Sequence, residues 1–326
     1  MTSKTALYDM IHTQADAIAR LADTDLSIPA ERLAGARRIL LIGTGTSQHA
    51  AELGAMMLVH AGMDARWSSA AQFARWGAPL RDGDAVVVIT HTAETAFALT
   101  CREQALATGV PVVSVTGIGS GWADAIETVE RERSETYTAS YTAALAALAG
   151  IAARLGAEQY GPQALRRTAE AVREAVADPG IDGIAIPARS LALIGAGPWG
   201  VTAREGALKI REASRTLAEG FEAESFLHGS AVPFGTSDGL VLLEPAQDPD
   251  GLVAALGKAA RAEGITVHVL GHGTDDLPPV LAQLPMTARL QLLADRFAGI
   301  RQQNPDVAIV GAWAENQLWT LGAPTA

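Results

Sequence analysis

The stretch VVVITHTAETAFAL, residues 86–99, passes from an apolar run into a row of hydroxyl side chains. The β-branched residues up to Thr90 predict a buried strand, and the apolar spacing after Thr95 predicts a helix. His91 and Thr92 lie where the strand gives way to the helix. Hydroxyl groups and backbone amides at a helix N-terminus bind phosphate without any lysine, although threonines also cap helices routinely. The stretch therefore predicts an anion site at this turn.

Hydroxyl residues are also enriched at two further predicted strand-to-helix turns. They are Thr44, Thr46 and Ser47 in one turn, and Thr136, Thr138, Ser140 and Thr142 in the other. Turns that leave the carboxyl ends of parallel strands converge on one crevice, where ligands bind. The three enriched turns together predict a site for a phosphate monoester.

A second group of chemically active residues lies in REGALKIREASRTLAEGFEAESFLHGS, residues 204–230. Glu205, Lys209 and Glu212 are three or four residues apart, so they share one helix face. His228 follows at a glycine turn. One interpretation is a solvated charged stripe; the other is a buried helix that carries the carboxylate of a proton-transfer reaction, with the histidine as its near-neutral partner. The residues alone leave both interpretations open.

The strands that must position these groups are short apolar runs. They are predicted at 38–42, 64–69, 85–90, 112–116 and 125–129, and again at 190–194, 239–243 and 265–270. A leading helix is predicted over 6–23. Continuous apolar strands separated by helices indicate an α/β fold, in which helices cover both faces of a parallel sheet.

The two series of strands look like copies of one another. With an offset of 152 residues, LIGTGTSQHAAELGA (41–55) lies over LIGAGPWGVTAREGA (193–207), and seven positions are identical. This repeat predicts two tandem doubly wound domains. The strand 239–243 runs into the acidic EPAQDPD, which has no hydroxyl row. We therefore expect only the first copy to bind an anion.

The motif GAGPWG, residues 195–200, fits the dinucleotide fingerprint G-x-G-x-x-G. That fingerprint also requires a second strand ending in an acidic residue about 20 residues later. Glu219 and Glu222 lie at that distance, but no strand is predicted before them. The first copy has Gln48 at the third glycine position, and its next strand ends in two serines, which leaves a 2′-phosphate ligand open. We expect no dinucleotide and no other cofactor.

The hydroxyl turns resemble those of the sugar isomerase (SIS) domain family of phosphosugar-binding proteins, and in particular the isomerase domain of glucosamine-6-phosphate synthases. GTGTSQHA resembles the family's C-G-T-S-x-x-A turn, THTAET its S-x-S-G-E-T loop, and TASYTAAL its V-A-S-T-K-A segment. The resemblance implies a tandem of doubly wound, flavodoxin-like SIS domains. It implies that the phosphate is contacted by Ser47, Thr90, His91, Thr92, Thr95 and Ser140. This chain has threonines for two serines, Ala93 for the glycine and Thr142 for the lysine.

The charged helix carries the same resemblance. EGALKIRE is similar to the synthases' E-G-A-L-K-L-K-E, and ESFLHGS to their E-L-K-H-G-P. The resemblance implies that Glu212 is a general base between sugar C1 and C2, that Lys209 lies near the substrate hydroxyls, and that His228 opens the ring. In the family this histidine can enter from a neighbouring subunit, and the resemblance therefore implies a homodimer with a shared active site. The family's C-terminal lysine has no counterpart, because no lysine follows Lys258.

Composition narrows the possible partners. The chain has 326 residues and a net charge of −11, which argues against nucleic acid and an anionic membrane as partners, because both are bound through basic surfaces. Its one cysteine, Cys101, excludes an internal disulfide and is typical of a reducing compartment. The histidines show no metal-ligand spacing, and no apolar run approaches the roughly 20 residues of a transmembrane helix. We expect a cytoplasmic protein that binds a sugar phosphate and no metal.

These observations together predict an enzyme that acts on a hexose or aminohexose 6-phosphate by proton transfer, either an aldose–ketose isomerase or an aminosugar-phosphate deaminase. A ketosamine-6-phosphate deglycase and a non-catalytic phosphosugar sensor are the alternatives. No glutaminase domain is expected, because the SIS-like region begins within the first 40 residues. We expect a helical segment at 1–35, SIS domains at 36–160 and 187–303, a linker helix at 161–186 and a tail at 304–326.

Overall fold

The computed structural model describes residues 4–245, 248, 250–271, 274 and 276–324. His272, one of the histidines considered above, lies outside these ranges. So do three residues of the acidic turn after the strand 239–243, namely Ala246, Gln247 and Pro249. Within the described ranges, no helix combines the length and the apolarity needed to cross a membrane.

Two parallel sheets organise the chain. The strands of the first sheet are Arg38–Gly43 (β1), Ala65–Ser69 (β2), Asp84–Ile89 (β3), Val112–Thr116 (β4) and Ala125–Glu127 (β5). Those of the second sheet are Leu191–Gly195 (β6), Ala218–Glu222 (β7), Gly239–Glu244 (β8) and Thr266–Gly271 (β9). Every pairing is parallel. All eight predicted strands are present, with ends that differ by about two residues at most.

Helices alternate with these strands. They are Ala6–Ala22 (α1), Ser27–Ala34 (α2), Thr46–His60 (α3), Ala70–Trp76 (α4), Ala96–Thr108 (α5), Ala139–Arg154 (α6), Pro162–Ala177 (α7), Pro198–Ser214 (α8), Ala223–Ser225 (α9), Leu252–Ala262 (α10), Gln283–Arg301 (α11) and Asn316–Thr320 (α12). A kinked helical turn, Phe226–Ser230, follows α9. The α/β class with parallel sheets is therefore confirmed.

The chain forms two compact units. The first unit contains the first sheet and comprises Thr13–Arg133, Ala139–Ala169 and Ile309–Ala326. All six residues of β3 and all five of β4 are buried, as expected for central strands with helices on both faces.

The second unit contains the second sheet and comprises Met1–His12, Ser134–Thr138 and Glu170–Ala308. The start of the chain is part of its core, since Leu7 and Ile11 are fully buried in the same cluster as residues of β6, α8 and α11. The backbone amides of Ala6 and Leu7 donate to the Asp306 carboxylate at 2.9 and 2.7 Å. This unit is therefore completed by residues from opposite ends of the sequence.

The sequence repeat is also a repeat of backbone geometry. The strand orders are β2-β1-β3-β4-β5 and β7-β6-β8-β9, so the second sheet has the order of the first four strands of the first sheet. Gly45, before α3, has φ 57° and ψ −125°, and Gly197, before α8, has φ 56° and ψ −127°. Glycine alone reaches this conformation at little cost. The two strand-to-helix turns therefore have the same shape.

The strand β7, which ends at Glu222, is not predicted from the sequence. The prediction that no strand precedes Glu222 is therefore wrong. β7 pairs with β6 at the edge of its sheet, and only its first residue is buried. A half-exposed edge strand needs no apolar run, which is why hydrophobic patterning missed it. The Glu222 side chain accepts a hydrogen bond from the Ser225 amide at 2.9 Å. The absence of a strand is thus no longer an argument against a dinucleotide.

Candidate functional site

The strand order of the first sheet locates a crevice. β1 and β3 are hydrogen-bonded neighbours, but the chain leaves β1 through α3 toward β2 and leaves β3 through α5 toward β4. The direction of winding therefore reverses between β1 and β3. In open parallel sheets, ligands bind outside the carboxyl ends of the strands at such a reversal. The hydroxyl-rich turns after β1 and β3 lie at this point.

The two helices that begin at this reversal lack side-chain caps. Gly45 and Thr95 are the N-cap residues of α3 and α5, and neither provides a side-chain cap hydrogen bond. The neighbouring helix α4, by contrast, is capped by Ser69, whose hydroxyl accepts from the Gln72 amide at 3.3 Å. A helix N-terminus carries a partial positive charge and backbone donors, so two uncapped ones side by side favour an anion.

The predicted phosphate contacts do not all lie in one cavity. Ser47, His91 and Ser140 line a small cavity of about 10 Å³ within the first unit, which is enough for about one water molecule. Thr90 is buried at the end of β3, and its hydroxyl is 3.5 Å from that of Thr95. Thr92 is also outside the cavity lining. The structure thus brings three of the six predicted contacts together around one cavity and leaves the three threonines on the adjoining loop.

The turn before α6, the third of the hydroxyl-rich turns, does not offer the free backbone amides that the sequence predicts. The Ser140 and Ala139 amides, at the N-terminus of α6, donate to the Glu132 carboxylate at 2.8 and 3.3 Å. The chain's own carboxylate therefore occupies this helix N-terminus, and the amides of Ala139 and Ser140 are already satisfied. Glu132 is separated from the helix by several residues and forms no local capping motif, so sequence reasoning had no signal for it.

A hydrogen bond from the backbone of Glu132 determines which ring nitrogen of His91 carries the proton. The Glu132 amide donates to His91 Nε2 at 3.1 Å, so the proton of the neutral imidazole lies on Nδ1. Burial lowers the pKa of His91, with Glu132 opposing this shift. His91 is therefore a neutral side chain at the edge of the anion site near pH 7.

Ala93 occupies the position where the family motif has glycine, and its backbone shows the difference. Its φ is +56°, in the left-handed region that residues with a Cβ rarely adopt. The Glu94 amide donates to the Thr92 hydroxyl at 3.2 Å within the same turn. The loop between β3 and α5 therefore keeps the backbone conformation of a glycine turn at a cost in free energy.

The charged helix α8 is buried on the face that carries its charges. Lys209 and Glu205 are fully buried, and Lys209 Nζ is 2.6 Å from Glu212 and 3.6 Å from Glu205. Buried charges persist only when they are paired, as they are here. Burial raises the pKa of Glu212, and the nearby Lys209 opposes the shift. The burial of Glu205 and Lys209 excludes the interpretation of this helix face as a solvated charged stripe. The raised pKa of Glu212 is typical of carboxylates that act as acids or bases.

His228, the fourth residue of this group, lies on the surface of the second unit. Its side chain is 78% exposed, and its Nε2 is 3.8 Å from a carboxylate oxygen of Glu224. It belongs to the kinked turn Phe226–Ser230, whose Gly229 has φ +105°. Leu227 and Val232 beside it are 52% and 84% exposed. This turn therefore presents a histidine between apolar side chains to the outside of the unit.

Two other candidate chemistries find no support among the described residues. No group of three or more histidine, cysteine or carboxylate side chains lies close enough there to hold a metal ion. Burial raises the pKa of Cys101 to about 12, so its thiol is a poor nucleophile near neutral pH.

Comparison with known proteins finds similarity to a domain family and to curated relatives. Residues 32–150 match the SIS domain family model. The chain is 28% identical over 308 residues to a glutamine–fructose-6-phosphate aminotransferase (isomerizing) of Pyrococcus horikoshii, covering 85% of this chain and 51% of that protein. It is 27% identical over 327 residues to the enzyme of that name from Aeropyrum pernix, covering 88% and 52%. The chain thus spans about half the length of the curated relatives it matches.

Solved structures share the fold. The C-terminal domain of glucosamine-fructose-6-phosphate aminotransferase from Francisella tularensis has a TM-score of 0.80 at 20% identity, covering 94% of this chain and 98% of that one. Tagatose-6-phosphate ketose/aldose isomerase from Escherichia coli has a TM-score of 0.80 at 19% identity, covering 95% and 97%. The match to the SIS domain model covers residues 32–150, most of which belong to the first unit. The family match does not extend to the second sheet, so the tandem arrangement of SIS domains is not confirmed by it.

Proposed function

We propose that this protein acts on the 6-phosphate of a hexose or aminohexose and moves a proton between C1 and C2. The reaction is an aldose–ketose isomerisation or an aminosugar-phosphate deamination. The observation that carries the proposal is the pair of uncapped helix N-termini, α3 and α5, at the reversal between β1 and β3. The relatives' names, which refer to fructose 6-phosphate and tagatose 6-phosphate, support this class of substrate.

Local donors hold the phosphate in this proposal. A chain with a net charge of −11 repels an anion at long range, so binding depends on short-range hydrogen bonds. The amides at the start of α3 and α5 provide some of these bonds. Side chains provide the others, namely those of Ser47, Thr90, His91, Thr92, Thr95 and Ser140. The amides at the start of α6 are excluded from this role, because Glu132 already occupies them.

Glu212 transfers the proton in this proposal. A base that removes a proton from carbon needs a pKa closer to neutral than that of an ordinary glutamate, and burial raises the pKa of Glu212. Lys209, which pairs with Glu212 at 2.6 Å, orients the carboxylate and contacts substrate hydroxyls. The proposal includes a second copy of the chain, since His228 lies exposed between apolar side chains and serves as the ring-opening group of the partner's site.

The second unit is, in this proposal, a SIS domain that has lost the anion site. Its strand order and its Gly197 turn match those of the first unit, which supports a common origin of the two units. We further propose that the protein works in the cytoplasm as a homodimer. Light scattering that shows only a 33.8 kDa species at micromolar concentration would contradict the shared site.

Deuterium exchange tests the proposed reaction. The protein is incubated in heavy water with fructose, glucose, tagatose and glucosamine 6-phosphates, and NMR follows the loss of the proton signals at C1 and C2. We expect exchange with at least one of these esters and none with the unphosphorylated sugars. Binding without exchange supports the sensor alternative. Release of an amine from a fructosamine 6-phosphate, without exchange in the simple esters, supports the deglycase.

A further inference from the structure

Thr116, the last residue of β4, carries a buried hydroxyl that the proposed site does not yet use. Its side chain is 1% exposed, and among the described residues no hydrogen-bond partner lies within reach of its Oγ1. Its backbone carbonyl, in contrast, accepts from the Thr128 amide at 2.9 Å and from the Thr128 hydroxyl at 2.8 Å. A buried hydroxyl without a partner is unfavourable, since folding removes its hydrogen bonds to water.

The position of Thr116 indicates what its hydroxyl is for. Thr116 lines the cavity of about 10 Å³ that Ser47, His91 and Ser140 also line. A cavity of this size, lined by hydroxyl groups and an imidazole as well as by apolar side chains, holds one oxygen atom or one water molecule. β4 is the neighbour of β3 in the sheet, so the cavity lies beside the reversal where ligands bind.

The neighbours of Thr116 show that packing alone does not require a hydroxyl there. The other β-branched residues of β4 are Val112, Val113 and Val115, and all three are buried. Valine has almost the shape of threonine and leaves no polar atom unsatisfied. A polar atom kept in a buried strand without a structural partner is expected at a functional position.

We infer that the Thr116 hydroxyl is a further recognition group of the anion site, which binds an oxygen of the phosphate-bearing ligand directly or through one water molecule in the cavity. The inference rests on the proposed function for the identity of the ligand. Thr116 belongs to none of the three hydroxyl-rich turns. With Thr116, the anion site includes the carboxyl end of β4 in addition to the turns.

Three variants test this role by calorimetry with fructose 6-phosphate and, separately, with inorganic phosphate. Thr116→Val removes the hydroxyl at constant shape, and Thr116→Ser keeps it. Ser114→Ala is the matched control: it removes another buried hydroxyl of β4, one that donates to Asp124 at 2.5 Å and lies outside the cavity lining. We expect Thr116→Val to weaken binding about tenfold, and Thr116→Ser to stay within about twofold of the wild type.

The outcomes separate this inference from the proposed function. Ser114→Ala should lower the melting temperature without changing affinity, whereas Thr116→Val should melt no lower than the wild type. If Thr116→Val binds both ligands as tightly as the wild type, the inference is wrong. If the wild type binds inorganic phosphate but neither fructose 6-phosphate nor any other ester of the exchange experiment, the proposed function fails, while a loss in Thr116→Val still supports the inference. If the wild type binds none of these ligands, both are refuted. A crystal structure with phosphate distinguishes the direct contact from the water-mediated one.

Discussion

Replacement of Glu212 by glutamine separates proton transfer from binding. In the wild type, the buried Lys209 ammonium group lies between two carboxylates, the buried Glu205 and Glu212, whose side chain is 20% exposed. Glutamine keeps the size of the side chain and an oxygen that accepts from Lys209 Nζ, now 2.6 Å from Glu212. Glu205, at 3.6 Å, still balances the lysine charge. We therefore expect the free energy of unfolding to change by no more than about 1 kcal/mol, because no unpaired buried charge is created.

The effect on the reaction is far larger. A positioned acid or base contributes about 10²–10⁴ in rate, which is about 3–5 kcal/mol of transition-state stabilisation. Glu212→Gln should therefore reduce deuterium exchange by that factor while phosphosugar affinity stays within about threefold. Glu263→Gln, at an exposed residue just after α10, is the matched control and should leave both unchanged.

The pH dependence adds an independent test. Glu212 acts as a base only when ionised, so exchange by the wild type falls as the pH is lowered through its pKa. Because burial raises that pKa, the acid limb should lie above the ordinary glutamate value of 4.5. Any exchange that remains in Glu212→Gln should lack this limb. Exchange in the variant as fast as in the wild type would refute the role of Glu212, and a parallel loss of affinity would assign it to ground-state binding.

Three further predictions concern the loop after β3 and the start of β8. Ala93→Gly should raise the free energy of unfolding in urea by about 1 kcal/mol, because φ +56° costs an alanine more than glycine loses in entropy; a less stable variant would contradict this. The pKa of Asp238 is lowered to about 2, chiefly by its hydrogen bond from Arg189, so about 2 kcal/mol of stability present above about pH 4 is lost toward pH 2. Asp238→Asn should flatten this acid slope in urea titrations, and an unchanged slope would refute the assignment. Thr92→Val combined with Thr95→Val should weaken hexose-phosphate binding by about 2–4 kcal/mol in calorimetry, and unchanged affinity in a folded variant would exclude the anion site.

Hydrophobic patterning predicted the central strands because their residues are buried on both faces. β3 and β4 are buried at every residue and rich in valine, and the glycine-rich turns before α3 and α8 have matching sequences and matching backbone shapes. β7 has one buried residue and pairs with β6 along a single edge, and no local pattern in the sequence reveals this pairing.

The candidate site likewise contains residues that local sequence patterns predict and residues that they do not. The hydroxyl turns are visible in the sequence because each lies in one short segment. Glu132 and Thr116 were missed because their roles depend on contacts between segments: Glu132 reaches the start of α6, and Thr116 meets Ser47 and His91 only around a shared cavity. The burial of Lys209 was likewise undecided, since helical spacing fixes which residues share a face but not whether another element covers that face.

The second unit combines segments that are far apart in the sequence, so the ribosome synthesises them at different times. The Ala6 amide and its acceptor Asp306 are 300 residues apart in the sequence. At about 5–20 residues per second, a ribosome needs roughly 15–60 s to complete the unit after its first helix has emerged. Throughout that interval the apolar side chains of Leu7 and Ile11 lack the residues of α11 that share their core. The Leu7 and Ile11 side chains therefore stay uncovered by this core until α11 has been synthesised, and the second unit folds only after that point.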